Sequence, residues 1–479
     1  MTGSLRRALV ATAIAVALPA SAAAEATVQL FVADPAGVGF NDPTPVVPVG
    51  GNPGTTLGQQ RRVALARAAQ IWGQTLTSTR PIRLVALHSA ALACNETSAA
   101  LAGASPFASV GNVPADPGFP GVTPNTWYPI ALAEKLTDVP VADILLPTQP
   151  FHIIAFINPR IGQKGCLPSS GWYYGLDTST PVGQINFVTV MLHEMGHGLG
   201  FTVGPTNAGT GERASGLPSV WESMLGDLSL DATWRELMTD AERAFSARNR
   251  TNLVWIGAQT RAAVPQTLGP GHELQVQGAP SSAGTYQAEP ATFGGSLPTS
   301  GLQGVLSPAT DLGGDSVYDG CDPIISDVAG RFALADRGTC TLEQKAVNAQ
   351  NAGAIALIVA NDTPGLFTPG GTAPSVTIPV FGISQADAAR LRAAPPLSGT
   401  GSGGQPARLQ SSTLFRAGTT AGYPRLYAPT TFQQGSSVSH YDTTMTPNQL
   451  MEPAITRTLT HSVLPPVDLT FRLLQDIGW

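Results

Sequence analysis

Segment 188–201, VTVMLHEMGHGLGF, sets three ionisable side chains, His193, Glu194 and His197, in a run otherwise made almost wholly of apolar residues and glycine. The apolar pattern over 185–199 predicts a helix that the fold must bury. On a helix, residues i and i+4 share a face one turn apart, so both imidazoles can reach one point. Burying them unpaired is expensive, and a metal ion relieves that penalty. Glu194, next to the first histidine, is placed to hold a water at such an ion and take its proton, which makes Zn²⁺ the expected cofactor. A four-coordinate catalytic site still needs a third protein ligand.

Five histidines lie outside this motif. His88 and His152 sit beside or within the strand-like stretches 82–86 and 151–158, so they are expected to be satisfied core or edge residues. His272 opens a later module, and His440 and His461 remain as candidates for the third ligand. Gly196, Gly198 and Gly200 each disfavour a helix interior by about 1 kcal/mol relative to Ala. Gly200 is expected to end the helix in a left-handed cap that turns the chain back toward the metal. Close backbone packing is the other reason for such glycines.

Arg6 and Arg7 precede an apolar run, 8–19, and then Ser21-Ala22-Ala23-Ala24, the pattern of a secretory signal peptide over 1–24. The run is too short for a membrane anchor, which needs ~20 apolar residues. The chain is therefore expected to be secreted, extracellular and without a membrane anchor. Cys94, Cys166, Cys321 and Cys340 are even in number, which in an exported chain implies two disulfides among three possible pairings. No C-x-x-C spacing marks a cysteine zinc site. Lys and Arg total 26 against 32 acidic residues, which excludes the basic patch of a nucleic-acid binder. No Asp-rich loop has the spacing of a calcium site. Asn95, Asn249 and Asn361 head glycosylation acceptor triplets.

A chain of 479 residues exceeds one hydrophobic core, so several domains are expected. Strands are expected over 26–33, 82–86 and 151–158, and helices over 61–76 and 185–199. Together they imply a mixed sheet with helices packed on it. Further on, 234–249 has helical spacing and 253–257 that of a strand. From 272 the texture changes to strands (331–335, 354–360, 378–383) alternating with helices (341–352, 384–394). Segment 395–406 is linker-like by composition, and 469–477 is expected to be a helix docked back on the core.

HEMGHGLGF resembles the metzincin metalloproteases, whose pattern is HExxHxxGxxH followed by a methionine-containing turn. Gly200 matches the family glycine, but Val203 stands where the last histidine would fall. Leishmanolysin-like peptidases are similar in carrying a large insertion at this point, and 435–455 looks like their continuation. The resemblance implies His440 as third zinc ligand beside His193 and His197. It also implies Leu450-Met451-Glu452-Pro453 as the methionine turn, with Met451 favoured over Met445. Residues 272–395 resemble a protease-associated (PA) domain, through Cys321-Asp322-Pro323 and the run 330–340.

The implied architecture is α+β: a metzincin-like catalytic domain, mixed sheet plus active-site helix, with an inserted α/β PA domain. The catalytic parts would be 25–271 and 396–479. Those boundaries separate the cysteines into Cys94–Cys166 and Cys321–Cys340. The implied activity is a secreted zinc-dependent endopeptidase acting on protein or peptide substrates through a metal-activated water, with Glu194 as base. The alternatives are a zinc-dependent amidohydrolase on non-peptide substrates and an inactive metal-containing binding protein. The PA module would serve as lid or recruiting surface.

Overall fold

The computed structural model describes residues 25–111, 122–313, 316–393 and 404–479. The expected signal peptide and most of the linker-like stretch lie outside these residues. The chain is mixed α/β, with two separately packed regions.

In the first region, strands Val28–Val32, Ile82–His88 and Ile153–Ile157 run parallel, and Ala102–Pro106 closes the sheet antiparallel at one edge. That edge strand, AGASP, has neither β-branched nor aromatic residues, which is why its sequence carries no strand pattern. Helix Leu57–Thr75 starts where Thr56 and Gln59 form a reciprocal capping box, four residues before the apolar spacing begins. It buries Ala64, Leu65, Ala68, Ala69 and Trp72. Trp72 Nε1 donates to the Leu192 carbonyl at 3.1 Å, tying this helix to the next.

That next helix, Phe187–Leu199, is capped by Asn186 and buried along its whole length. Its glycines answer to both reasons weighed from sequence. A Cβ at Gly198 would lie 2.3 Å from Ile153 Cγ2, and one at Gly196 would lie 2.8 Å from the Met451 sulfur. Gly200, at φ +121°, takes a conformation other residues avoid and reverses the chain.

The core around this helix draws on residues 26–268 and 417–479 alike, bringing Trp72, Phe187 and Met191 together with Met451, Leu473 and Trp479. The C-terminal helix Thr470–Asp476 docks as expected: Trp479 Nε1 donates to the Leu199 carbonyl at 2.7 Å. The Asp476 carboxylate accepts from Gln259 N, Thr260 N and Trp255 Nε1, at the start of helix Ala258–Thr267. The sequence had not suggested that helix, which contains Pro265. The helix expected over 234–249 is shorter, Asp240–Ser246, because the Thr239–Glu242 capping box starts it and Trp234 is already buried upstream.

The second region is a closed seven-stranded barrel. Its order is Gly271–Val276, Gly284–Pro290, Val380–Ile383, Ala356–Ala360, Phe332–Asp336, Leu302–Pro308 and Gln405–Ser412, which returns to the first strand. The last strand lies beyond residue 395, where the inserted domain was expected to end, and takes in the final two residues of the linker-like stretch. It pairs with Gly271–Val276 so that Gly271 faces Ser412, and entry and exit are adjacent. Phe332, Leu334, Ile358 and Phe381 fill the barrel, and helix Leu342–Asn351 covers its outer face.

Both disulfides follow the expected pairing, Cys94–Cys166 and Cys321–Cys340. Of the three acceptor asparagines, Asn361 is buried, and the Asn249 amide donates to Asp227; Asn95 is exposed. Among the described residues no helix is long and apolar enough to cross a membrane.

Gly198→Ala should destabilise the protein by about 2 kcal/mol, because overpacking outweighs the ~1 kcal/mol gain in helix propensity. Urea denaturation measures this, and Ile153→Ala in the same chain should recover part of the loss.

Candidate metal centre

The buried helix presents Asn186, Thr189, Val190, His193, Glu194 and His197 along one side of a cleft of about 1110 Å³. These positions repeat at three and four residues, the period of one helix face. Ser436, Ser437, Ser439 and His440, and then Pro453 to Arg457, also line the cleft. The edge strand Ala102–Pro106 contributes a further wall.

Each of the three histidines is oriented by one backbone carbonyl. His193 Nδ1 lies 2.7 Å from the Leu450 oxygen, His197 Nδ1 2.7 Å from that of Phe201, and His440 Nδ1 2.8 Å from that of Ser436. Carbonyls only accept, so each Nδ1 carries the proton and each Nε2 presents a lone pair. The reversal at Gly200 is what brings the Phe201 carbonyl back to His197. Leu450 is held in turn by its N–H on Asp468 Oδ2 at 2.6 Å.

The three Nε2 atoms converge. His193 to His197 is 3.1 Å, His197 to His440 is 3.2 Å, and His440 to His193 is 3.3 Å. Three inward lone pairs cannot hydrogen-bond to one another, and all three side chains are buried. Nitrogens shared by one tetrahedral zinc at ~2.0–2.1 Å lie about 3.3 Å apart. The donor set and its spacing therefore fit Zn²⁺.

Burial drives His193 down to about 4 and His197 to about 3, with the neighbouring His193 adding to the second; His440 is held well below its ordinary value by the same causes. All three are thus neutral donors. Burial pushes Glu194 up to about 8, against a hydrogen bond from the backbone of Ala104 in the edge strand. A dication at the histidines would draw that carboxyl back toward its ionised form.

His440 reaches the site through Val203: the Val203 N–H donates to Ser439 Oγ at 3.0 Å, docking the distant segment there. Met451 is fully buried against Gly196, beneath the motif, while Met445 lies elsewhere in the core. His461 is not in the cluster; its Nε2 meets Asn186 Oδ1 at 3.1 Å. His88, half-buried at a strand end, pairs with Asp34 at 2.8 Å, and the buried His152 pairs with Glu134 at 3.1 Å. His272 packs on the ring of Phe381 in the barrel.

Sequence reasoning missed two contributors. One is the edge strand, which has no strand-like composition. The other is Asp468, whose role depends on a turn formed only in the folded chain.

Residues 288–391 match the family model of the PA domain, so the barrel region carries that domain. Signal peptide peptidase-like 3 of Arabidopsis thaliana is 37% identical over 99 residues, 20% of this chain and 18% of that protein. Its namesake in Oryza sativa subsp. japonica is 35% identical over 105 residues, again 20% and 18%. An Arabidopsis thaliana receptor homology region, transmembrane domain- and RING domain-containing protein is 37% identical over 87 residues, 16% and 26%. The chain thus spans about a fifth of the length of the first of these relatives. Among solved structures, BSAP, a zinc aminopeptidase from Bacillus subtilis, aligns over 32% of this chain and 36% of its own, at 23% identity and TM-score 0.21.

On this geometry His440→Ala should lower bound zinc at least tenfold, measured by metal analysis after dialysis against a weak chelator. His461→Ala should leave the metal content unchanged. Zinc retained in full by the first variant would remove His440 from the donor set.

Proposed function

We propose that the chain is a secreted zinc-dependent endopeptidase of the leishmanolysin-like metzincin kind. Its catalytic domain would be formed by 25–270 and 413–479 around the inserted barrel, whose last strand, Gln405–Ser412, lies past the boundary expected at 395. The observation that carries this reading is the convergence of three buried, lone-pair-bearing Nε2 atoms within 3.3 Å, with Glu194 on the same helix face. A zinc ion held there supplies a Lewis acid for a carbonyl and makes water acidic enough to lose a proton near neutral pH.

The chain's own residues do the rest. Glu194 accepts the proton of the attacking water at a carboxylate oxygen and returns it to the leaving amine. The Ala104 backbone steadies that carboxylate, so the base is braced by the same strand that borders the cleft. Ala102–Pro106 ends its sheet, and its outer edge bears no further strand among the described residues. An extended peptide can pair along such an edge through main-chain hydrogen bonds, which positions the scissile bond without reading side chains. Met451 fills the space under the histidines with a pliable apolar side chain.

Cleft shape favours this reading over hydrolysis of small non-peptide amides. The helix face from Asn186 to His197 spans about 16 Å, the length of roughly five extended residues. An intact Glu194 disfavours an inactive binding protein.

Purified protein should hydrolyse casein, lose that activity to a chelator, and regain it with Zn²⁺. Glu194→Gln should keep its zinc while losing about 10²–10⁴-fold in kcat. Full hydrolysis after metal removal, or loss of zinc from Glu194→Gln, would overturn the assignment.

A further inference from the structure

The cleft is almost free of charge. Among the described residues that line it, Glu194 and Arg457 are the only acidic or basic side chains besides the neutral histidines. Glu194 faces the histidine cluster and is committed there. Arg457 is exposed, and among the described residues no carboxylate lies within ion-pair distance of it. One of its nitrogens, Nη2, donates to the Thr180 carbonyl at 3.0 Å, which fixes the guanidinium against the wall. A guanidinium offers five N–H donors in a planar fork, so this anchor leaves donors for a ligand.

The anchor also fixes where along the cleft the charge stands. Thr180 Oγ1 accepts from Asn186 Nδ2 at 3.0 Å, and Asn186 caps the start of the histidine-bearing helix. Asn186 precedes His193 by seven residues of the sequence, a helical rise of about 10 Å. An extended peptide covers that distance in about three residues.

We infer that Arg457 is a specificity-determining residue that recognises a substrate carboxylate about three residues from the scissile bond. The inference rests on the peptidase reading and names its substrate class: peptides acidic at that position, or ending there in a free carboxylate. The neutral walls supply no competing attraction or repulsion, so one unpaired cation sets the charge preference of the whole cleft. A chain with net charge −6 otherwise repels acidic peptides weakly, which makes a local cation the element that reverses the bias.

The test uses the zinc-loaded protein and peptides that differ only by Glu or Gln at each position within about four residues of the cleaved bond. Wild type should favour Glu at one position by about fivefold in kcat/KM, the scale of a partly screened ion pair. Arg457→Gln should erase that preference, and Arg457→Glu should reverse it. Raising the salt to ~1 M should shrink the preference in wild type. A second arm compares peptides ending at the same position with a free or an amidated terminus, which separates a side-chain carboxylate from a chain end. Equal use of Glu and Gln peptides by wild type, with no effect of amidation, would overturn the inference. So would a preference that survives Arg457→Gln. If no peptide is cleaved, the peptidase reading fails. Peptide affinities of wild type and Arg457→Gln, by fluorescence anisotropy, then judge Arg457 separately by the same Glu-to-Gln ratio.

Discussion

Three imidazole lone pairs directed at one buried point are the constraint on which the rest of this structure depends. They cannot satisfy one another, and all three side chains are buried, so the fold holds them together by fixing every opposite nitrogen. The three carbonyls that do this belong to Phe201, Ser436 and Leu450, each on a segment that would be a plain surface loop in isolation. Gly200 turns the first back, the Val203–Ser439 contact docks the second, and Asp468 pins the third. Orientation of metal-type donors by carbonyls sets both tautomer and ring direction.

Packing under the helix obeys the same demand. Gly198 lets the helix settle onto Ile153 of the sheet, and Gly196 lets Met451 approach from the other side. The helix is thus clamped between the first 160 residues and the last 50, and its glycines are sites of close approach and not helix-weakening drift. The core itself draws on residues 26–268 and 417–479, and the barrel, Gly271 to Ser412, makes the interruption between them tolerable. Gly271 and Ser412 pair across adjacent strands, so the inserted domain begins and ends at one place.

The barrel is also tied to the histidine-bearing part by a part-buried polar path. Arg425 Nη2 donates to Gln287 Oε1 at 2.8 Å, and Gln287 Nε2 donates to Glu289 on the same barrel strand at 2.9 Å. The Arg425 carbonyl accepts from the N–H of Asp442, two residues beyond His440. Burial pushes Glu289 up to about 7, with Arg425 opposing. Polar groups sheltered in this way hold two modules in one relative position more than they stabilise either.

Local chemistry was legible in the sequence because it is local. His193, Glu194 and His197 share a face by helical period alone, whereas the start signals at Thr56 and Thr239 went unread, and those helices were expected from 61 and 234. Alternation of apolar strands and short helices marked the barrel region, and cysteine placement followed once that region was set apart. The convergence of His440 on the pair is another matter. More than 240 residues lie between, and nothing in composition separates His440 from His461; only a family resemblance favoured it, and only packing sets one beside His197 and the other on Asn186. The edge strand Ala102–Pro106 shows the same limit, since its strand conformation comes from pairing with Ile153–Ile157 and not from its own small residues. Sequence alone thus determined which helix bears the chemistry. Tertiary structure decided which distant loops complete it, because the burial that makes those contacts favourable exists only once both halves of the core have closed around the helix.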